Sequence, residues 1–172
     1  GKTLEGAADA LLQFNKGLIV ALCDIVPAVK PQAAYYEMYG WQGVKALTET
    51  IAYAKGKGMF VITDGKRNDI GATMTAYAAA HLGSTVVEEE TFAPFGADAL
   101  TVNGYLGTDG IQPLLEVCGQ EDKGIFVLVK TSNPSSGEPQ DKPLADGNTV
   151  YGAMGPMCEG WGEELPGKYG YS

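Results

Sequence analysis

The chain has 172 residues with 45% hydrophobic and 19% charged content, enough apolar material for one globular domain with a sizeable core and too much for a disordered segment. Its formal net charge of −9 argues against a nucleic-acid partner or an anionic membrane surface, so any anionic substrate needs a local positive field. Cys23, Cys118 and Cys158 are odd in number, lack C-x-x-C spacing, and read as reduced, buried thiols. With no signal-peptide pattern and no apolar run long enough to span a bilayer, the expected location is the cytoplasm.

Leu4–Leu22 places Leu4, Ala8, Leu11, Leu12, Leu18, Ile19 and Leu22 at helical spacing, which predicts an amphipathic helix. Ile25–Lys30 is short and apolar with Pro27 inside it, a strand with an irregular start that ends on Lys30. Gln32–Tyr39 is a helical turn whose Tyr35, Tyr36 and Tyr39 suit an exterior or an interface. Trp41–Lys57 is a second amphipathic helix closed by Gly56 and Gly58. Met59–Lys66 is the next strand, and Thr73–Leu82 a helix carrying His81, the single histidine, in a structural position. Asp98–Asn103 is a strand; Thr108 or Asp109 is placed to cap a helix over Gly110–Cys118. Gly124–Lys130 is a β-branched and aromatic strand, followed by a Ser/Asn/Pro-rich loop to Gly137 and an exposed loop over Pro139–Gly147. Thr149–Leu165 predicts a helix with internal glycines.

Strict alternation of helices and strands implies a parallel sheet with right-handed crossovers, either open and doubly wound or a (β/α)8 barrel. The strand ends are polar, at Lys30, Asp64/Lys66, Asn103 and Thr131/Ser132, and in a barrel they converge on one mouth. No G-x-G-x-x-G opens a helix, so a dinucleotide fold has little support.

The chemistry concentrates in FVITDGKRNDIGAT, residues 60–73. Period-2 alternation puts Asp64 and Lys66 on one strand face, and Asp69, beyond the strand end, is placed to return toward the lysine. An ammonium held between two carboxylates stays charged, which suits a proton donor rather than a base. The same spacing also suits a surface ion-pair cluster.

Asp64-x-Lys66-x-x-Asp69-Ile70-Gly71-x-Thr73 resembles the signature of the orotidine 5′-monophosphate decarboxylase family, in its bacterial D-x-K-R-x-D-I-G subgroup. Val26-Pro-Ala-Val-Lys-Pro-Gln32, Ala97–Asn103 with Tyr105–Gly110, and Val129–Gly137 resemble the same subgroup in the same order. The resemblance implies decarboxylation of orotidine 5′-monophosphate to UMP without metal, flavin or pyridoxal cofactor. It implies Lys66 as the proton donor, Asp64 beside the departing carboxylate, and Lys30 holding Asp64 and the ribose. It further implies that Asp69 reaches the site from the partner subunit of a homodimer, with Thr73 at the ribose and Ile70 lining the pocket. Ser132 is implied at the pyrimidine edge, or as a loop-capping hydroxyl; Asn103 has a weaker claim at its strand end. The subgroup usually has proline where this chain has Gly104, which implies a looser loop. The expected fold is thus a (β/α)8 barrel, of which residues 1–172 carry about four central units as a single, incomplete domain. The family has one strand before the Leu4 helix and three after Ser172, and Gly170-Tyr-Ser172 reads as the run-in to the next. Two rivals are a magnesium-dependent phosphosugar β-keto acid decarboxylase of the same barrel group and a non-catalytic, truncated copy.

Overall fold

The computed structural model describes residues 2–163 together with Leu165 and Gly167; residues 170–172, read as the approach to a further strand, lie outside the described residues. Thr3 opens the first helix, α1 (Leu4–Leu22), its Oγ1 accepting from Gly6 N at 3.0 Å. Then follow β1 (Ala28–Val29), α2 (Ala34–Glu37), α3 (Gly40–Gly56), β2 (Phe60–Arg67) and α4 (Gly71–His81). A hairpin of β3 (Thr85–Val87) and β4 (Glu90–Phe92) precedes β5 (Ala99–Asn103), α5 (Gln112–Glu121), β6 (Gly124–Leu128), α6 (Gly137–Gln140) and α7 (Val150–Glu163).

Strands β1, β2, β5 and β6 form one sheet in that order, and every pair is parallel. This is the sequential arc expected of neighbouring (β/α) units. One face of the arc packs on helices through two cores. Val61 belongs to one with Leu12, Ile19, Leu47 and Ile51 of α1 and α3, while Leu100 and Val102 belong to the other with Met74, Leu114 and Trp161. The other face carries Phe60 and Phe126, each about half exposed.

Strand β1 is shorter than expected because Pro27 and Pro31 flank it and donate no backbone hydrogen bond. Their carbonyls still accept from Phe60 N and Asp64 N, at 2.8 and 2.9 Å, and a bridge joins Gln32 to Asp64. The segment therefore tracks β2 up to the candidate site.

Several local expectations are corrected. The alternation is interrupted by the β3–β4 hairpin, which joins neither core because its residues are exposed on both faces. Pro139–Gly147 is not wholly loop, since α6 runs through Gln140. Neither Thr108 nor Asp109 caps α5, which has no side-chain cap; Thr108 Oγ1 instead accepts from Trp161 Nε1 at 3.1 Å. Tyr36 is buried, its hydroxyl accepting from Asn15 Nδ2 at 2.8 Å, whereas Tyr35 is exposed. Cys118 is buried, but Cys23 and Cys158 are only partly so, and all three are free thiols. Gly104 is also buried: a Cβ there would lie 2.9 Å from Met154 Sδ and 3.1 Å from Val127 Cγ1, so this loop is packed rather than loose. His81 is buried and stacked on Phe95 at 4.7 Å, in keeping with a structural place.

Candidate active site

The site is built where β2 stops being regular. Thr63 pairs with Leu100 and Arg67 with Val102, so four steps along β2 match two along β5. This bulge bends the strand and frees its residues from the ladder. Within it Lys66 adopts φ +48°, a left-handed conformation that costs a residue with a Cβ about 1–2 kcal/mol. Simple alternation is thus not what brings Lys66 to Asp64; the bulge does.

Asp64 is 4% exposed and accepts from four side chains. Lys30 Nζ reaches its Oδ2 at 2.6 Å, and Gln32 Nε2 the same oxygen at 3.0 Å. Lys66 Nζ reaches Oδ1 at 2.6 Å, and Thr101 Oγ1 the same oxygen at 2.8 Å. Burial opposes ionisation of this carboxyl, but the hydrogen bonds from Lys30, Lys66 and Thr101 outweigh it and hold Asp64 far below the usual carboxylate range. The lysines differ from it in exposure, with side chains 53% and 47% accessible. An anionic floor therefore presents two ammonium groups to a cavity of about 330 Å³, lined by Lys30, Ile62, Asp64, Lys66, Thr101 and Phe126 together with Leu128.

The other expected residues are not drawn into this cluster. Asp69 makes no ion pair with Lys66 in its own chain; its Oδ1 accepts from Ile70 N at 2.8 Å, at the start of α4. The expected return of Asp69 within the chain is therefore corrected: the bulge turns Lys66 onto Asp64, and the next helix start claims the second carboxylate. Ile70 is 49% exposed, and Thr73 is exposed in the first turn of α4. Asn103, at the end of β5, uses Oδ1 to accept from Tyr105 N at 2.9 Å. Ser132 is exposed beyond the end of β6 and makes no side-chain hydrogen bond among the described residues, so it is not the loop cap. That loop is tied instead by Thr131 and Gln140, at 2.9 and 2.8 Å. Gln32 and Thr101 are partners of Asp64 that sequence reasoning assigned no role. A polar Thr101 between apolar residues on a short central strand was the available signal for one of them.

At the opposite end of the strands, Asp98 accepts from Val61 N at 2.9 Å and pairs with Lys55 and, at 3.5 Å, with Lys123. That cluster ties β2, α3 and the start of β6 together and reads as structural, as polar groups at this end of a barrel do.

The fold and site define a class: a (β/α)-barrel protein with a charged candidate active site at the carboxyl ends of its strands. The family model described as orotidine 5′-phosphate decarboxylase / HUMPS family matches residues 7–154. The chain is 51% identical over 150 residues to the orotidine 5′-phosphate decarboxylase of Rhodopirellula baltica, a match covering 87% of this chain and 48% of that protein. It is 43% identical over 169 residues to the orotidine 5′-phosphate decarboxylase of Caldicellulosiruptor saccharolyticus, covering 98% and 55%. Among solved structures, Leishmania donovani OMP decarboxylase superposes with a TM-score of 0.77 at 34% identity, over 94% of this chain and 58% of that one. The chain belongs to the orotidine 5′-phosphate decarboxylase / HUMPS family, and its four parallel strands are an arc of that (β/α)8 barrel. It spans about half the length of the curated relatives it matches.

Proposed function

We propose that this chain carries the charged half of an orotidine 5′-monophosphate decarboxylase site and serves the cofactor-free conversion of that nucleotide to UMP in pyrimidine synthesis. The observation that carries the reading is the buried Asp64 carboxylate holding two half-exposed ammonium groups, Lys30 and Lys66, at 2.6 Å each. The substrate's C6 carboxylate lies beside Asp64, whose charge disfavours it there. The bond from C6 to the carboxylate breaks, carbon dioxide leaves, and the electron pair stays on C6. The Lys66 ammonium stabilises that developing charge and then transfers a proton from Nζ to C6; the neutral amine regains a proton from water. A preorganised charge array of this kind acts chiefly by stabilising the transition state.

Lys30 holds Asp64 and the ribose. The exposed Ser132 hydroxyl is free to meet the pyrimidine edge, and the Asn103 amide nitrogen remains available to substrate. Asp69, Ile70 and Thr73 enter the site of a second copy in a twofold homodimer; the exposure of Ile70 and Thr73 and the lack of a bond from Asp69 to its own Lys66 support this. The free thiols suit a reducing, cytoplasmic setting, and no described helix is long and apolar enough to cross a membrane.

The test is turnover of orotidine 5′-monophosphate, followed as UMP and carbon dioxide, by a protein in which these residues stand together with the rest of the barrel. The expected result is turnover that persists in a metal chelator and disappears in Lys66→Ala. No UMP formation, or full activity in Lys66→Ala, overturns the reading.

A further inference from the structure

Thr101 sits on β5 directly against the bulge of β2, and it is 9% exposed. Its Oγ1 lies 3.0 Å from the backbone nitrogen of Lys66 and 2.8 Å from Asp64 Oδ1. The directions of both bonds are forced. A backbone N–H only donates and an ionised carboxylate only accepts, so the hydroxyl accepts from Lys66 and donates to Asp64. Of the side chains on Asp64, Lys30 and Gln32 reach the other oxygen, and Lys66 comes from its own strand. Among the described residues, Thr101 alone bonds both the carboxylate and the lysine backbone.

Where two strands run in register, a strand N–H finds a carbonyl across the ladder. Here β2 has slipped, and the Thr101 hydroxyl takes that carbonyl's place. We propose that Thr101 is a positioning residue: its single hydroxyl holds Lys66 in its left-handed backbone conformation and turns Asp64 Oδ1 toward the Lys66 ammonium. Its consequence for catalysis rests on the decarboxylase reading, but the positioning itself does not. The side chain must be a hydroxyl. Valine fills the same volume but leaves the Lys66 N–H unmet and Oδ1 with one donor fewer, whereas serine keeps both bonds.

The test compares the wild-type chain with Thr101→Val and Thr101→Ser by NMR. In Thr101→Val the Lys66 amide should exchange with solvent about tenfold faster or more. Its amide–Hα coupling should also move from the left-handed toward the extended value. Amides of Leu100 and Val102 serve as the internal reference, because a packing defect alone would speed their exchange as much as that of Lys66. Thr101→Ser should return both Lys66 signatures to within a few-fold of wild type. Wild-type Lys66 exchange and coupling in Thr101→Val overturn the proposal, as does a failure of serine to restore them. If the valine variant does not fold, the wild type and Thr101→Ser still decide: a Lys66 amide exchanging in either as freely as one in an open loop refutes the bond. None of these signals needs turnover. A protein that shows them, carries the rest of the barrel and forms no UMP refutes the decarboxylase reading and leaves the role of Thr101 standing.

Discussion

The left-handed backbone at Lys66 makes a prediction whose sign is opposite to that for an ordinary strand. Consider Lys66→Ala and Lys66→Gly. Both remove the ammonium and its 2.6 Å contact with Asp64, and both keep the backbone N–H that Thr101 accepts, so these losses cancel in the comparison. What remains is the Cβ at φ +48°. Alanine pays about 1–2 kcal/mol for that conformation and glycine pays almost none. Glycine gives back about 0.5–1 kcal/mol through its freer unfolded chain. The glycine variant should therefore be the more stable of the two by up to about 1.5 kcal/mol. In a regular strand, alanine would lead by a similar margin. Urea unfolding at neutral pH measures the difference directly, as a shift in midpoint at equal slope. An alanine variant more stable than the glycine variant, as in a regular strand, would refute a left-handed Lys66 and with it the bulge that aims the lysine.

Further outcomes follow from the same geometry. If Asp69 serves the partner's site, Lys66→Ala and Asp69→Ala are each nearly inactive. Mixed under subunit exchange, about half the dimers carry one intact site, and decarboxylation recovers to roughly a quarter of wild type; no recovery despite proven exchange places Asp69 with its own Lys66. Burial, with the nearby Arg67 charge, depresses His81 to about 4 from an ordinary 6.5. The unfolded chain therefore takes up the proton first, and the stability His81 contributes above pH 6.5 is lost as pH falls from there toward 4. The loss is about 3 kcal/mol, and His81→Phe should flatten that part of the denaturation-midpoint profile; an unchanged slope counts against it. A Cβ at Gly43 would lie 1.8 Å from the Tyr36 carbonyl oxygen, where α3 meets the end of α2. Gly43→Ala should cost about 3 kcal/mol, read by urea midpoint, and a neutral result would contradict that close approach.

The sequence by itself determined what depends on local pattern. The span of α1 follows from apolar spacing, and the parallel order of β1, β2, β5 and β6 from the alternation of elements. It also placed Lys30, Asp64 and Lys66 at strand ends, because each follows an apolar run that reads as a strand. Tertiary structure decided the rest. The pairing of Lys66 with Asp64 depends on a register slip between β2 and β5, and a slip exists only between two strands that have already paired. Gln32 and Thr101 became partners of one carboxylate from 32 and 37 residues away, a closeness that only the folded sheet creates. The β3–β4 hairpin escaped reading because its residues face solvent on both sides and leave no alternation to see. Gly104 looked like a loosened loop until α7 supplied Met154 to fill the space beside it. Apart from the hairpin, the deciding contact lies far away along the chain in each case. Its energy is gained only once the intervening elements have packed.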